Sequence, residues 1–187
     1  VLILACVLLA VLVAPLVGGS LRRLADLRWR APWLVLGALL VQLVVLEASG
    51  LPEPVAAGAH LATYAAAAAF VLLNRRVPGL LVLALGALSN GVTILLNGGT
   101  LPSTASARAL AGLDQVHGFT NSGVLESPAL PFLGDVFAVP SWVPLANVFS
   151  IGDVLIVAGA WWVVLATSRG TRGPYVPRHG RPLPSHP

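Results

Sequence analysis

Ten of the eleven arginines in this chain, which has no lysine, fall in three of the five breaks that follow its apolar runs. The runs cover about residues 1–17, 32–46, 59–73, 78–97 and 150–167. Four arginines follow the first run, two follow the third and four lie in the tail after the fifth. The break at 47–58 has none, and the long break at 98–149 has only Arg108. Runs approaching 20 apolar residues are long enough to cross a bilayer. Basic loops that alternate in step with such runs point to the cytoplasmic side. The chain is therefore expected to be an all-α integral membrane protein of five transmembrane helices. Its N-terminus lies outside, its C-terminus in the cytoplasm, and the long loop 98–149 outside.

Composition agrees. Apolar residues make up 57% of the 187, charged residues 10%, and the mean hydropathy is +0.87; a soluble domain carries about 25% charged residues. The net charge of +4 needs no nucleic acid to explain it, because the arginines are sorted by side. The bias toward Ala, Leu, Val, Arg and Gly suits a GC-rich bacterial genome, and hence a bacterial inner membrane. Residues 1–167 read as one membrane domain and 168–187 as a disordered basic tail, rich in Pro, Gly, Arg and Ser. Cys6 is the single cysteine and packs as a small hydrophobe.

Within the runs, polar residues mark the faces that avoid lipid. Gln42 lies in the second run and His60 and Tyr64 share a face of the third. In the fourth, Gly86, Asn90, Thr93 and Asn97 recur at i, i+4, i+7 and i+11, a single polar stripe on a helix. Gly98-Gly99 ends that helix, since glycine readily takes the left-handed cap conformation. In the outer loop Ser103 is placed to cap a short helix running to about Leu113. Pro128, Pro131, Pro140 and Pro144 exclude a long helix afterwards. Five aromatics, Phe119, Phe132, Phe137, Trp142 and Phe149, call for ordered packing there.

The outer ends of spans four and five bracket this loop. They bring Asn90, Thr93, Asn97, Gly98 and Gly99 toward Asp153, with Asp135 and His117 on the loop as neighbours. This is the expected outward-facing polar site. Two readings of its acids stay open. Ser150-Ile151-Gly152-Asp153 has the spacing of a helix capping box, and Asp135 after Leu133-Gly134 can simply close a turn. Alternatively, Asp153 and Asp135 are the acids of a catalytic pair. His117, Glu126, Asp135 and Asp153 match no metal-ligand spacing. No phosphate-binding glycine loop is present, so neither metal nor cofactor is expected.

Two resemblances can be placed on these residues. Asn97-Gly98-Gly99 with Pro102, Phe132-Leu133-Gly134-Asp135 with Pro140, and Ser150-Ile151-Gly152-Asp153 together resemble a family of small bacterial multi-pass membrane proteins catalogued as a domain of unknown function. That resemblance implies topology and no activity. The last two spans also resemble signal peptidase II, the lipoprotein signal peptidase. Gly86-Ala87-Leu88-Ser89-Asn90 is similar to its G-x-x-G-N segment, and Val148-Phe149-Ser150-Ile151-Gly152-Asp153 to its F-N-x-A-D motif. The resemblance implies that Asp153 corresponds to one of two catalytic aspartates, while Thr93 stands where the other would be. The functions that follow are a binding protein for a lipid headgroup, small ligand or protein partner; an intramembrane aspartyl hydrolase; or a transporter or channel component. Expected partners are the bilayer, with a lipid, a lipoprotein substrate or another membrane protein, and no nucleic acid.

Overall fold

A computed structural model describes residues 2–47, 53–113 and 122–170. The chain is mostly helical. Helix α1 is Leu2–Leu16, α2 is Leu21–Ala25, α3 is Trp33–Glu47, α4 is Glu53–Leu73, α5 is Leu80–Leu96, α6 is Ala105–Ala111 and α7 is Ile151–Arg169. Each apolar run becomes one helix, bounded by the residues that break it. The short α2, inside the first basic loop, has no counterpart in the apolar pattern. Among the described residues only α7 is both long and apolar enough to cross a membrane by itself. Leu2–Leu16, Ala62–Leu73 and Leu80–Leu96 are apolar but shorter.

The expectation of an all-α chain fails in the long loop. Strand β1 (Leu101–Pro102) pairs in parallel with β2 (Ser122–Gly123), and β3 (Phe137–Val139) pairs antiparallel with β4 (Asn147–Phe149). The physical reason lies in the local residues. Val, Phe and Ala alternate at 136–139, Pro140 and Pro144 forbid a helix between the strands, and Phe137 stacks on Phe149 at 5.4 Å. Helix α6 lies over this hairpin, with Ala107 and Ala111 packed on Val148. Its cap is Thr104 rather than Ser103: the Thr104 hydroxyl accepts from the Ala107 amide at 3.2 Å. The loop is a small folded cap of mixed structure.

The helices are organised around α5 and α7, which run antiparallel in close contact. Gly79 and Gly86 on the first chain segment face Gly159 and Gly152 on the second. A Cβ on Gly86 would collide with the carbonyl oxygen of Gly152, and one on Gly79 with that of Gly159. Equal seven-residue spacings on both helices keep the two contacts in register. This is the small-residue packing by which helix backbones approach in membranes. Helix α1 lies on the other side of α7, where Ala10 and Ala14 pack against Val164. There Trp161 Nε1 donates to the Cys6 carbonyl at 2.9 Å. Helices α3 and α4 pack chiefly on each other and meet α5 only sparsely.

Helix α7 runs two residues beyond the expected end of the last span and stops at Gly170, which takes a left-handed conformation. The remainder of the expected tail, 171–187, lies outside the described residues, as do His117 and the side chains of Gln42 and His60.

The glycine contact makes a directional prediction. Gly86→Ala lowers thermal stability in detergent by about 1–3 kcal/mol, the usual cost of overpacking a close contact. Gly91→Ala, on the same helix where an added Cβ meets nothing within 4 Å, leaves stability unchanged or raises it by up to about 1 kcal/mol. Equal melting points for the two variants would show that the α5–α7 approach is not tight.

Candidate functional site

The approach of Gly86 to Gly152 delivers Asn90, one helical turn further along α5, to the first turn of α7. There both its amide nitrogen and its amide oxygen are engaged. Asn90 Nδ2 donates to Asp153 Oδ1 at 2.8 Å, and Asn90 Oδ1 accepts from the Ser150 hydroxyl at 2.9 Å. Ser150 and Asp153 also cap each other. The Ser150 amide donates to Asp153 Oδ2 at 3.0 Å, and the Asp153 amide donates to Ser150 Oγ at 3.1 Å. The result is a closed ring of four hydrogen bonds across two helices, with Ser150 fully buried. The spacing Ser-x-x-Asp makes the capping box, and the α7 dipole favours a carboxylate in this first turn. Gly152 is required here, because a Cβ on it would collide with the Asn90 side chain.

The rest of the stripe on α5 faces inward as well. Thr93 is fully buried, and its hydroxyl donates back to the Ser89 carbonyl at 2.9 Å. Asn97 holds the cap in place. Its Nδ2 donates to the carbonyls of Thr93 (2.7 Å) and Ala129 (2.9 Å), while its Oδ1 accepts from the Ala129 amide at 2.8 Å. Gly98 and Gly99 are exposed, both with positive φ, and the Gly99 amide closes the end of α5 on the Ile94 carbonyl at 2.9 Å.

Asp135 sits in the cap, on a backbone ladder with β1. The Asp135 amide donates to the Pro102 carbonyl at 2.7 Å, the Thr104 amide donates to the Asp135 carbonyl at 3.2 Å, and Ser103 and Asp135 are partners in a parallel bridge. Gly134 allows this, since a Cβ on it would strike the Pro102 carbonyl oxygen. Asp135 is 4% exposed and Ser103 7%. Among the described residues neither Asp135 Oδ1 nor Ser103 Oγ has a hydrogen-bond partner. Burial pushes the Asp135 carboxyl above its ordinary range. The Ser122 hydroxyl beside it acts in the opposite direction, the negative charge of Asp153 raises it further, and Arg108 lowers it. Thus Asp135 feels the charge of Asp153, whose two oxygens are already engaged with Asn90 and Ser150.

The fold therefore gathers Asn90, Ser150 and Asp153 into one cluster, ties Asn97 to the cap, and leaves Asp135 with Ser103 as a second polar centre inside the cap. Ser150 and Ser103 were not recognised as site residues from sequence. The Ser-x-x-Asp spacing signalled Ser150; nothing local signalled Ser103, whose role comes from strand pairing. Among the described residues no group of three or more His, Cys, Asp or Glu side chains is placed to hold a metal ion.

Two outcomes follow. Asn90→Ala leaves Asp153 Oδ1 and the Ser150 hydroxyl without their partner, and thermal denaturation should show a loss of roughly 1–3 kcal/mol. For Asp135, the folded state holds its proton more tightly than the unfolded chain. Its contribution to stability is therefore fully present below the ordinary carboxylate pKa and is lost as pH rises through the raised folded value. Asp135→Asn should be more stable than the wild-type protein at neutral pH, with the gap closing as pH falls into the ordinary carboxylate range. A pH-independent gap would show that Asp135 is not held in a desolvating site.

Comparison with known proteins adds lineage. A chain of Thermotoga maritima described as an uncharacterized protein is 32% identical over 94 residues, covering 49% of this chain and 54% of that one. The chain thus spans about half the length of the curated relative it matches. No solved structure matches. The family model of DUF5317, a family of unknown function, matches residues 26–165. That match takes in α3, α4, α5, the outer cap and most of α7, and the chain belongs to this family.

Proposed function

We propose that this chain is a five-span membrane protein whose folded outer cap binds a ligand or partner without catalysing a reaction. One observation carries the membrane part of this reading. Among the described residues the largest fully buried side chains are Thr93, Ser150 and Ser168, while many leucines and valines are exposed. On α5, Leu81, Leu85, Leu88, Val92 and Leu95 form an exposed stripe opposite the buried one. A soluble fold places such residues inside; lipid reverses the arrangement, because only packing and polar contacts favour helix association there. Helices α1 and α3, at 15 residues each, are about 22 Å long, short of a hydrocarbon core of about 30 Å. Local thinning of the bilayer and flanking apolar residues accommodate that mismatch.

The binding reading draws on the bonds of the outer site. Asn90, Asn97 and Asp153 spend their polar atoms on one another and on the cap, which suits a rigid platform. Within the cap, Asp135 Oδ1 and Ser103 Oγ lack a hydrogen-bond partner among the described residues. A ligand that carries hydrogen-bond donors, such as an amine or hydroxyl of a headgroup, would complete them. The cap also exposes Trp142 and Phe132, residues suited to the bilayer interface or a protein partner. An aspartyl hydrolase needs two carboxylates that share a proton. Here Thr93 occupies the position of one, and its hydroxyl is turned back onto its own helix.

The topology is tested by single cysteines in a Cys6→Ser background. Ser141→Cys, on the exposed surface of the cap, and Ala25→Cys, on the exposed side of α2, probe opposite faces. An impermeant maleimide on intact cells should modify Ser141→Cys and reach Ala25→Cys only after permeabilisation. The reverse pattern overturns the orientation, and recovery of the protein in the soluble fraction overturns the membrane reading.

A further inference from the structure

The basic end of the molecule holds a second site, remote in chain position from the outer cap. The loop before α3 and the turn after α4 meet there through Asn74, which is 4% exposed. Asn74 Oδ1 accepts from the Arg30 amide at 2.8 Å, and Asn74 Nδ2 donates to the Arg30 carbonyl at 2.9 Å and to the Phe70 carbonyl at 2.8 Å. Trp29 packs against Phe70 with ring centroids 5.5 Å apart. These contacts join two turns that lie far apart in sequence and build between them a cavity of about 430 Å³. Four arginines line it, Arg28, Arg30, Arg75 and Arg76, with Trp29 and the apolar Leu72 and Leu73 completing the walls.

No carboxylate is among the lining residues, and among the described residues none of the four guanidiniums has a hydrogen-bond or ion-pair partner. Four like charges drawn together repel one another unless an anion joins them. Guanidinium forks match the oxygens of a phosphate in geometry as well as charge. The fold thus spends a buried, triply bonded asparagine to hold together a cluster that is unfavourable when empty of counter-charge.

Two features separate a lipid phosphate from a soluble one. The cavity wall is apolar on the side of α4. In addition, an apolar groove of about 200 Å³ runs between α3 and α4 from Trp33, lined by Leu34, Gly37, Ala38, Val41 and Ala66 among others. It starts three residues beyond Arg30 and has the character of a seat for an acyl chain. We propose that the Arg28–Arg30–Arg75–Arg76 basin binds the headgroup phosphate of an anionic phospholipid in the cytoplasmic leaflet. This rests on the membrane topology given above, and it assigns that site to lipid, separately from any ligand of the outer cap. Basic pockets between helices on the cytoplasmic side are a recognised form of headgroup recognition.

The test uses the full chain extracted from membranes in mild detergent, with bound lipid counted by native mass spectrometry. The probes are phosphatidylglycerol and phosphatidylcholine at equal concentration. The wild-type protein should retain phosphatidylglycerol preferentially. Arg75→Gln/Arg76→Gln should weaken that retention on the order of tenfold. Arg22→Gln, on the same side but outside the cavity, should leave it unchanged. Arg75→Lys/Arg76→Lys, which keeps the charge, should retain most of the preference and shows whether the glutamine variant lost binding or merely folding. Equal retention of both lipids by the wild-type protein, or a preference untouched by the glutamine pair, overturns the proposal while leaving the membrane reading intact. Displacement of phosphatidylglycerol by millimolar glycerol phosphate would overturn the lipid assignment in favour of a soluble phosphate. A protein that never enters the membrane fraction would overturn both readings.

Discussion

The close approach of α5 to α7 at Gly86–Gly152 and Gly79–Gly159 is the contact on which the remaining structure depends. Two helices that touch through backbone leave no room for intervening side chains, so whatever lies one turn beyond the contact must meet. On α5 that residue is Asn90, and it meets Ser150 and Asp153 at the start of α7. A larger residue at either outer glycine would part the helices and open the Asn90–Ser150–Asp153 ring. The same helix α7 then presents its other face to α1, where Ala10 and Ala14 again permit near-backbone packing. At its end the Ser20 amide donates to the Ser168 carbonyl at 2.9 Å. Small residues at each seam are what bind this bundle.

The outer cap is ordered because its two ends start from that fixed pair. Asn97 grips Ala129 in both directions, and the 134–135 backbone adds onto β1. Each polar residue at the mouth is thereby given a partner inside the protein, as a low-dielectric setting demands. Asp135 and Ser103 stand apart from this economy. Their unpartnered oxygens lie within a segment that is otherwise tightly bonded, which is why the cap, rather than the capping box, is the better place to look for a ligand.

The helices α3 and α4 form a separate pair; at the basic end Asn74 ties the loop before α3 to the turn after α4, and Leu27 and Trp29 pack there on Val77, Leu80 and Val163. One consequence is chemical asymmetry. The cap end carries acids, amides and aromatics, whereas the opposite end carries arginines around a cavity. The two ends thus present different chemistry, with α4, α5 and α7 between them.

Much of the helical framework was legible along the chain. Apolar runs, the prolines and glycines that break them, and the stripe of Gly86, Asn90, Thr93 and Asn97 are local properties, and each maps onto one helix or one face. The capping box was legible for the same reason, since Ser150 and Asp153 are three residues apart. The strands of the cap, the pairing of Ser103 with Asp135 and the grip of Asn97 on Ala129 were not, because each joins residues distant in sequence whose local patterns do not name their partners. The seven-residue glycine spacing was visible on both helices, yet which glycine met which was not. The arginines show the sharpest division. Their alternation along the chain pointed to a side of the membrane by itself, because sidedness depends only on how charge is distributed among loops. That four of them share one cavity was decided by tertiary structure alone, because the buried hydrogen bonds of Asn74 and the contact of Trp29 with Phe70 bring the two turns together.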